Sequence, residues 1–232
     1  MPITSAKLRS KIPFFQGIDP ELLKRIVPYV QEKTYRKGTL IFLEGSEGNE
    51  IYFIASGSVS IHTFNKSKKV ILAFFQEGDY FGEMALIKPG LVRSATAETI
   101  APTRLFVLQG TDFKYLFEND RNLLYYLVED TMDRLRNANR QIYDLTFLKV
   151  RSRIMKRLKG WAEEYAAPRQ AGPVLIPMKL THQQLADLVG AVRETVSKVL
   201  QELQDEGLIQ IRQKMIQVIS IKQLESKLLE DE

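Results

Sequence analysis

The sequence predicts an α+β fold: an antiparallel roll of short strands, then one long helix, then a helical unit that carries a β-hairpin. Three patterns in the 232 residues lead to this prediction. Short β-rich runs separated by glycines fill the first half, apolar residues at heptad spacing follow them, and the last third contains a helix cap, a turn glycine and a second amphipathic helix. A chain of this length can form two modest domains, each with its own core.

The N-terminal half begins with a predicted helix and continues with strands. Asp19 and Pro20 supply a cap and a first-turn proline for an amphipathic helix over residues 19–32. From Thr39 to Leu108 the sequence is β-rich. The runs are TLIFL, EIYFIA, SVSIHTF, KVILAFF, SATAETI and TRLFVL, with glycines between them. Short strands at this spacing predict an antiparallel sandwich or roll.

The segment from Phe81 to Ala97, FGEMALIKPGLVRSATA, combines the parts of an anion-binding pocket. Its candidate binding residues are Gly82, Glu83, Met84, Arg93 and Ser94. A helix start with free N–H groups, a glycine that lets backbone approach closely and an arginine after a Pro89–Gly90 turn suit a bound phosphate. The alternative is that these glycines and the proline are ordinary turn residues, and that Glu83 and Arg93 form a surface ion pair of little energetic consequence.

A long helical pattern follows from about residue 119 to residue 148. Apolar or small residues recur at alternating spacings of four and three: Leu124, Val128, Thr131, Leu135, Ala138, Ile142 and Leu145. Such a heptad seam favours pairing of the helix with a second copy of itself, and its small residues permit close approach. The alternative is that this stripe packs against the strands of the same chain.

Residues 180–205, LTHQQLADLVGAVRETVSKVLQELQD, predict two helices joined by a tight turn. Thr181 and Gln184 form a capping box, and Gly190 supplies the turn. The apolar stripe of the second helix consists of Val196, Val199, Leu200 and Leu203. Its polar face carries Arg193, Glu194, Ser197, Lys198 and Gln201. Basic side chains can donate to guanine and a glutamate can accept from cytosine, so this face suits the edges of base pairs.

The flanking sequence completes a winged helix-turn-helix. A helix is predicted over about residues 149–165, before the two helices, with Trp161 as a core residue. A proline-rich loop with a short strand follows it. After Gly207 two β-like runs surround Gln213, as a wing does. Residues 149–214 contain 12 basic and 7 acidic residues, which favours a nucleic-acid partner. The alternative is a helical hairpin with a charged, solvated face.

The order of these parts resembles the cAMP receptor protein and FNR superfamily of bacterial transcription regulators over nearly the whole chain. The Phe81 to Ala97 segment resembles the phosphate-binding cassette of cyclic-nucleotide-binding domains. The resemblance implies that Arg93 pairs with a cyclic phosphate, that Glu83 holds the ribose 2′-hydroxyl and that Ser94 assists the phosphate. Arg134 matches the family position that meets the cassette glutamate.

The resemblance also implies an effector. Ala138 and Asn139 match the two family positions that bind the adenine of cAMP, one from each subunit. Alanine cannot hydrogen-bond a base, whereas asparagine can both donate and accept. We therefore expect cAMP as the effector, while another nucleotide, a different anion or constitutive DNA binding with a vestigial pocket remain alternatives.

On the DNA side, the R-E-T-V sequence at Arg193 to Val196 matches the family's recognition helix. The resemblance implies that Arg193 and Glu194 read a TGTGA-type half-site in a palindrome. Lys198 stands where the family has a further arginine, and lysine lacks the bidentate fork of arginine. Positions that match phosphate contacts are Thr181, His182 and Thr195.

These expectations divide the chain into an effector β-roll over residues 1–118, a dimerisation helix and hinge over residues 119–147, and a winged helix-turn-helix DNA-binding domain over residues 148–232. The expected partners are double-stranded DNA, a second copy of the chain and RNA polymerase. An enzyme or a cyclic-nucleotide-regulated channel module is the competing class. The sequence lacks a nucleotide-hydrolysing loop and a nucleophile with its base, so we expect no catalysis.

Composition argues against several kinds of site and location. The chain has no cysteine, which removes disulfides, thiolate zinc sites and iron–sulfur clusters. The two histidines, His62 and His182, lack the spacing of a metal site, so neither a metal nor haem is expected. No apolar run approaches the roughly 18–20 residues of a membrane span, and the N-terminus lacks the apolar region of a signal peptide. We therefore expect a cytoplasmic protein.

Overall fold

The computed structural model of the chain describes residues 3–66, 68–86, 88, 90–167 and 172–231. Pro89 of the predicted cassette turn lies outside the described residues, as does part of the proline-rich loop. The chain divides into two compact units, Met1–Leu135 and Arg136–Glu232. Within the described ranges, no helix has the length and apolar character that crossing a membrane requires.

Over its described residues, the first unit contains two short α-helices, eight strands and two further α-helices, the last of which continues into the second unit. Its first helices are α1 (Ser5–Lys11) and α2 (Pro20–Ile26). The strands are β1 (Gln31–Tyr35), β2 (Leu40–Phe42), β3 (Glu50–Ser56), β4 (Ser58–Asn65), β5 (Lys68–Gln76), β6 (Tyr80–Phe81), β7 (Thr96–Thr99) and β8 (Thr103–Gln109). The helices α3 (Gly110–Asn119) and α4 (Arg121–Phe147) follow.

The strands form two four-stranded sheets in which every pairing is antiparallel, with the orders β1-β8-β3-β6 and β2-β7-β4-β5. One apolar core lies between the helices and the first sheet and includes Phe14, Phe53 and Phe106. A second core contains Tyr52 and Phe81, whose rings stack 5.2 Å apart. The predicted antiparallel roll is confirmed, and the cassette begins at its β6 edge.

The prediction of one helix over residues 19–32 is wrong in its second half. Helix α2 ends at Ile26, and a 3-10 turn that contains Pro28 follows it. Proline has no N–H to donate inside a helix, so the helix stops there. The next residues form β1, whose side chains are mostly exposed or half-buried. A strand of this kind lacks the apolar alternation by which sequence identifies strands.

Asp120 separates α3 from α4 and starts the long helix. Its carboxylate accepts hydrogen bonds from the backbone N–H groups of Asn122 at 2.9 Å and Leu123 at 3.2 Å, as an N-cap does. The backbone N–H of Asp19, the cap of α2, donates to the same carboxylate at 3.1 Å. The long predicted helix is confirmed, and its first turn is tied to the N-terminal helices.

Two faces of α4 differ in burial. Leu123 and Leu127 are only 3% and 5% exposed and belong to the core under the first sheet. The large apolar residues of the heptad seam are all exposed: Leu124, Val128, Leu135, Ile142 and Leu145. The alternative that the seam packs against the strands is therefore wrong, because a different stripe of the helix does so.

The second unit is a helical domain with a small sheet. Its elements after α4 are α5 (Val150–Tyr165), β9 (Val174–Ile176), α6 (His182–Val189), α7 (Arg193–Asp205), β10 (Ile209–Arg212), β11 (Met215–Val218) and α8 (Ile221–Asp231). The sheet order is β10-β11-β9, and both pairings are antiparallel. Trp161 is buried, as predicted. The winged helix-turn-helix is confirmed.

Helix α8 is not predicted by the sequence patterns above. It buries Leu224 and Leu228, and Arg151 at the start of α5 holds its last turn through an ion pair with Asp231 at 2.8 Å. The same guanidinium pairs with Glu206, just after α7, at 2.7 Å. Arg151 therefore ties α5 to the ends of both α7 and α8.

Candidate functional site

The turn after β6 brings backbone close to a buried guanidinium. Gly82 has φ of 90°, a left-handed conformation that favours glycine, and opens a 3-10 turn over Glu83–Ala85. A Cβ at Gly82 would lie 2.8 Å from Arg93 Nη1 and 3.1 Å from the Glu50 carbonyl oxygen. Both the conformation and the lack of space therefore require glycine here.

Arg93 is buried beneath this turn, with 4% of the residue exposed. Its Nη1 donates to the Gly82 carbonyl at 2.7 Å and its Nη2 to the Glu50 carbonyl at 2.9 Å. The guanidinium also lies over the ring of Phe42 at 4.3 Å. Among the described residues no carboxylate lies within ion-pair distance of Arg93, and its Nε is buried without a hydrogen-bond partner. Arg93 is thus a buried cation without a carboxylate in direct contact among the described residues.

Burial has an electrostatic consequence for Arg93. Burial lowers the pKa of the Arg93 guanidinium. The nearby Tyr52, Glu50 and Glu83 act in the opposite direction and partly offset this shift. Arginine still keeps its charge at neutral pH because its ordinary pKa is far higher. A buried cation without a counterion is costly, so an anion that reaches it is strongly favoured.

Glu83 lies in the same pocket with one satisfied and one unsatisfied oxygen. Its Oε1 accepts from Arg134 Nη1 at 3.3 Å, while its Oε2 is buried without a partner among the described residues. Burial raises the pKa of Glu83, and the charge of Arg134 partly offsets this. The expected alternative of a surface ion pair between Glu83 and Arg93 is wrong, since both side chains are largely buried and Glu83 pairs with Arg134.

Arg134 connects α4 to the cassette. Its Nη2 donates to the Tyr80 carbonyl at 2.9 Å, and its Nε pairs with Asp130 at 2.7 Å. The Tyr80 hydroxyl donates to the same Asp130 at 2.5 Å. Burial and this bond raise the pKa of Tyr80 well above its ordinary value. The result is a network that runs from Glu83 through Arg134 to two turns of α4.

The remaining predicted effector residues are exposed and are not part of this buried group. Met84 and Ser94 are exposed, and the Ser94 hydroxyl lies 3.5 Å from the Met84 sulfur. Asn139 is exposed on α4 in the second unit. The structure therefore brings Gly82, Glu83, Arg93 and Arg134 together and leaves Met84 and Ser94 beside them.

Sequence reasoning missed several parts of the pocket: Phe42, Gly48, Glu50, Tyr52 and Asp130. Glu50 acts through its backbone carbonyl, which leaves no trace in a side-chain pattern. Gly48 was visible as a glycine between two β-rich runs, but only the structure shows that a Cβ there would meet the Arg93 guanidinium at 2.1 Å.

The second candidate site is the polar face of α7. Arg193, Glu194 and Lys198 are exposed, and the predicted apolar stripe is buried. Thr195 and Ser197 are half-buried. The capping box at Thr181 is present, and Gly190 has φ of 65°, which confirms both turn predictions. The two helices thus hold a rigid polar surface that can enter a major groove.

Among the described residues, one side-chain hydrogen bond joins α6 and α7 across this surface, between His182 Nδ1 and Ser197 Oγ at 2.7 Å. The Thr181 hydroxyl accepts from the Gln184 backbone N–H at 3.1 Å. Thr181 is exposed and His182 half-buried, and both lie at the N-terminal end of α6, where the helix dipole favours an anion.

Comparison with known proteins gives two family matches. Residues 32–120 match the cyclic nucleotide-binding domain, and residues 152–227 match the Crp-like helix-turn-helix domain. The chain is 32% identical over 203 residues to the cAMP-activated global transcriptional regulator CRP of Pasteurella multocida, which covers 87% of this chain and 96% of that protein. It is also 32% identical over 200 residues to the cyclic AMP receptor protein of Thermus thermophilus, with 86% and 88% covered.

A solved structure is similar over the same span. The c-di-GMP responsive global regulator CLP of Xanthomonas campestris matches with a TM-score of 0.72 and 27% identity, covering 87% of this chain and 99% of that one. Of these relatives, CLP is described as a global regulator and the Pasteurella multocida protein as a regulator of transcription, which is the class of protein that the sequence predicts. The roll with its buried arginine, the long helix and the winged helix-turn-helix therefore place this chain in the CRP/FNR family of transcription regulators.

Proposed function

We propose that the chain is a homodimeric regulator that binds palindromic TGTGA-like half-sites under the control of cAMP. One observation carries the effector part of this proposal. Among the described residues, the pocket has two buried side-chain atoms without a hydrogen-bond partner: a cationic donor, Arg93 Nε, and a carboxylate acceptor, Glu83 Oε2. A phosphate oxygen and a hydroxyl group complement them, and a cyclic ribose phosphate carries both.

The roles of the pocket residues follow from this complementarity. Arg93 supplies the charge for the cyclic phosphate, and Glu83 accepts the ribose 2′-hydroxyl. Gly82 and Met84 contribute backbone of the turn that faces the phosphate, and Ser94 assists at its exposed side. Arg134, bound to Glu83, senses the hydroxyl that arrives there, and Asn139 offers a donor and an acceptor to the base.

The choice of cAMP rests on the relatives at 27–32% identity that are described as cAMP-activated. A second candidate is another nucleotide in the same pocket. Two observations favour it: Ala138 has no group to hydrogen-bond a base, and a regulator that matches at 27% identity is described as c-di-GMP responsive. Arg93 is moreover already bonded to two carbonyls, which an effector must displace or share.

The exposed seam of α4 supports the homodimer. A row of large apolar side chains at heptad spacing gains free energy when a second copy covers it. Two recognition helices must reach major grooves about 34 Å apart, so the dimer sets their spacing. We assign residues 1–118 to the effector domain, residues 119–147 to dimerisation and residues 148–232 to DNA binding, with RNA polymerase as a further partner in the cytoplasm.

The DNA contacts are proposed on α6 and α7. Arg193 donates to guanine, Glu194 accepts from cytosine, and Lys198 supports the readout without the fork of an arginine. The contacts that position the helix on phosphates come from Thr181, His182 and Thr195, and Ser197 adds a further contact from the polar face.

The test is fluorescence anisotropy of a labelled TGTGA palindrome titrated with protein, alone and with cAMP, cGMP or c-di-GMP. We expect cAMP to tighten binding more than the other two, and Arg93→Ala to abolish this response. Arg104→Ala is the matched control, because Arg104 is exposed and pairs only with Glu32 among the described residues. Operator affinity that stays constant over the full cAMP titration contradicts control by cAMP, and indifference to the palindrome contradicts the half-site.

A further inference from the structure

One side-chain pair joins the two helices of the proposed DNA-binding surface. His182 is the first residue of α6, and Ser197 lies at the second turn of α7. The 2.7 Å bond between His182 Nδ1 and Ser197 Oγ is the one hydrogen bond of this ring among the described residues. The other ring nitrogen, Nε2, has no hydrogen-bond partner among the described residues, so it can bind a group outside the chain.

The chemistry of imidazole couples these two atoms. A neutral ring has one N–H and one lone pair, so its nitrogens take opposite roles. A DNA phosphate only accepts hydrogen bonds, so Nε2 must carry the hydrogen when it faces one. In the neutral ring Nδ1 is then an acceptor, and the Ser197 hydroxyl donates its hydrogen to it.

We propose that His182 in this way makes Ser197 a specificity-determining residue for the exocyclic amino groups of adenine and cytosine. The inference rests on the proposed DNA binding through α7. A free serine hydroxyl can either donate to or accept from a base, so it discriminates little. With its hydrogen held by Nδ1, the Ser197 oxygen offers only lone pairs. These match an amino group and disfavour the carbonyl oxygens of guanine and thymine.

The neighbouring side chains give different preferences. Arg193 and Lys198 are donors and favour guanine, so their contacts cannot produce a position where adenine and cytosine are both preferred. Glu194 is an acceptor in its own right. A preference that comes from Ser197 is therefore recognised by its loss in Ser197→Ala while Glu194 is intact.

The test uses the full chain with cAMP. The protein selects duplexes from a randomised palindromic library, and each base pair of the selected half-site is then replaced by the other three in anisotropy titrations. At one position we expect adenine and cytosine to bind about tenfold more tightly than guanine and thymine, and Ser197→Ala to remove the difference.

His182→Lys separates the coupling from a simple phosphate contact. Lysine still donates to a phosphate but cannot accept from Ser197, so we expect affinity for unrelated DNA to be kept and the tenfold discrimination to fall to about twofold. Gln183→Lys is the matched control. It adds the same charge at the next, exposed position, and we expect it to retain the discrimination.

Three results overturn the inference while leaving the proposed DNA binding intact. Equal discrimination in His182→Lys and the unmodified chain shows that Ser197 acts without the histidine. If no position prefers adenine and cytosine in the unmodified chain and loses that preference in Ser197→Ala, then Ser197 does not read a base. Long-range ¹H–¹⁵N NMR of the DNA complex must show the hydrogen on Nε2, and a hydrogen on Nδ1 contradicts the mechanism. If the library yields no enriched duplex at all, the proposed DNA binding fails first and this inference fails with it.

Discussion

At the scale of single residues, the pocket depends on how closely backbone approaches the Arg93 guanidinium. A Cβ at Gly48 would lie 2.1 Å from Arg93 Nε and 2.3 Å from Cζ. The φ of Gly48 is not in the left-handed region, so a substitution acts through crowding alone. We expect Gly48→Ala to displace Arg93, to weaken cAMP binding about tenfold or more and to cost about 1–3 kcal/mol of stability. Calorimetric titration and thermal unfolding measure the two effects.

Gly17→Ala is the control for this substitution. A Cβ at Gly17 meets no atom within 4 Å, and its φ is likewise outside the left-handed region. Both cAMP affinity and stability should therefore stay close to those of the unmodified chain. Unchanged cAMP affinity in a folded Gly48→Ala protein would show that Arg93 does not bind the phosphate.

The same pocket shows which residues sequence can reveal. Arg93 and Glu83 are recognisable because their side chains carry the chemistry and stand at a characteristic spacing. Glu50 is not, since it acts through its carbonyl oxygen, and Gly48 acts only through the space it leaves. The unsatisfied oxygen of Glu83 could not be predicted from the sequence either, because hydrogen-bond satisfaction depends on residues such as Arg134 that are distant in sequence.

At the scale of elements, α4 has one stripe for its own domain and one for a partner. Leu135 is 54% exposed in the seam, whereas Leu127 is 5% exposed in the core. If the seam is the dimer interface, Leu135→Glu buries an unpaired charge there in the dimer but leaves the folded protomer intact. We expect a dissociation constant at least about a hundredfold higher, measured by analytical ultracentrifugation, with an unchanged circular dichroism spectrum.

Tyr125→Glu controls for the added charge. Tyr125 is 71% exposed on the same helix but lies outside the seam, so the dimer should persist. A Leu135→Glu protein that sediments like the unmodified chain contradicts pairing through this face.

Elements with a regular spacing of apolar residues or a clear helix cap were predictable from the sequence. Elements that form only through contacts with distant residues were not. The heptad spacing identified α4, and the capping box identified α6. By contrast, β1 is a mostly polar strand that forms because β8 offers it hydrogen bonds. Helix α8 differs from β1, because the Ser220 hydroxyl accepts from the Gln223 backbone N–H at its start and Leu224 and Leu228 recur at helical spacing. A local pattern was therefore available for α8, whereas long-range contacts decide β1.

At the scale of the whole molecule, the order of the parts was the strongest signal in the sequence. A cassette alone has an ordinary turn as a competing explanation, and a helix-turn-helix alone has a charged hairpin. The two together, on either side of a heptad helix, are explained by a regulator in which an effector controls DNA binding. What the order leaves open is the ligand, because the base contacts depend on single residues such as Ala138.

Control of this kind has a thermodynamic consequence that needs no knowledge of how the two units are arranged. If cAMP increases operator affinity by some factor, operator DNA must increase cAMP affinity by the same factor, because both paths join the same four states. For a regulator of this kind we expect the change in affinity to be a factor of about 5–150.

The measurement is cAMP binding, by calorimetry, to the free protein and to protein saturated with the palindrome. An unrelated duplex of equal length is the control and should give a smaller change. Equal cAMP affinities with and without the operator, in a protein whose operator binding responds to cAMP, would mean that the response comes from something other than a ligand-linked equilibrium.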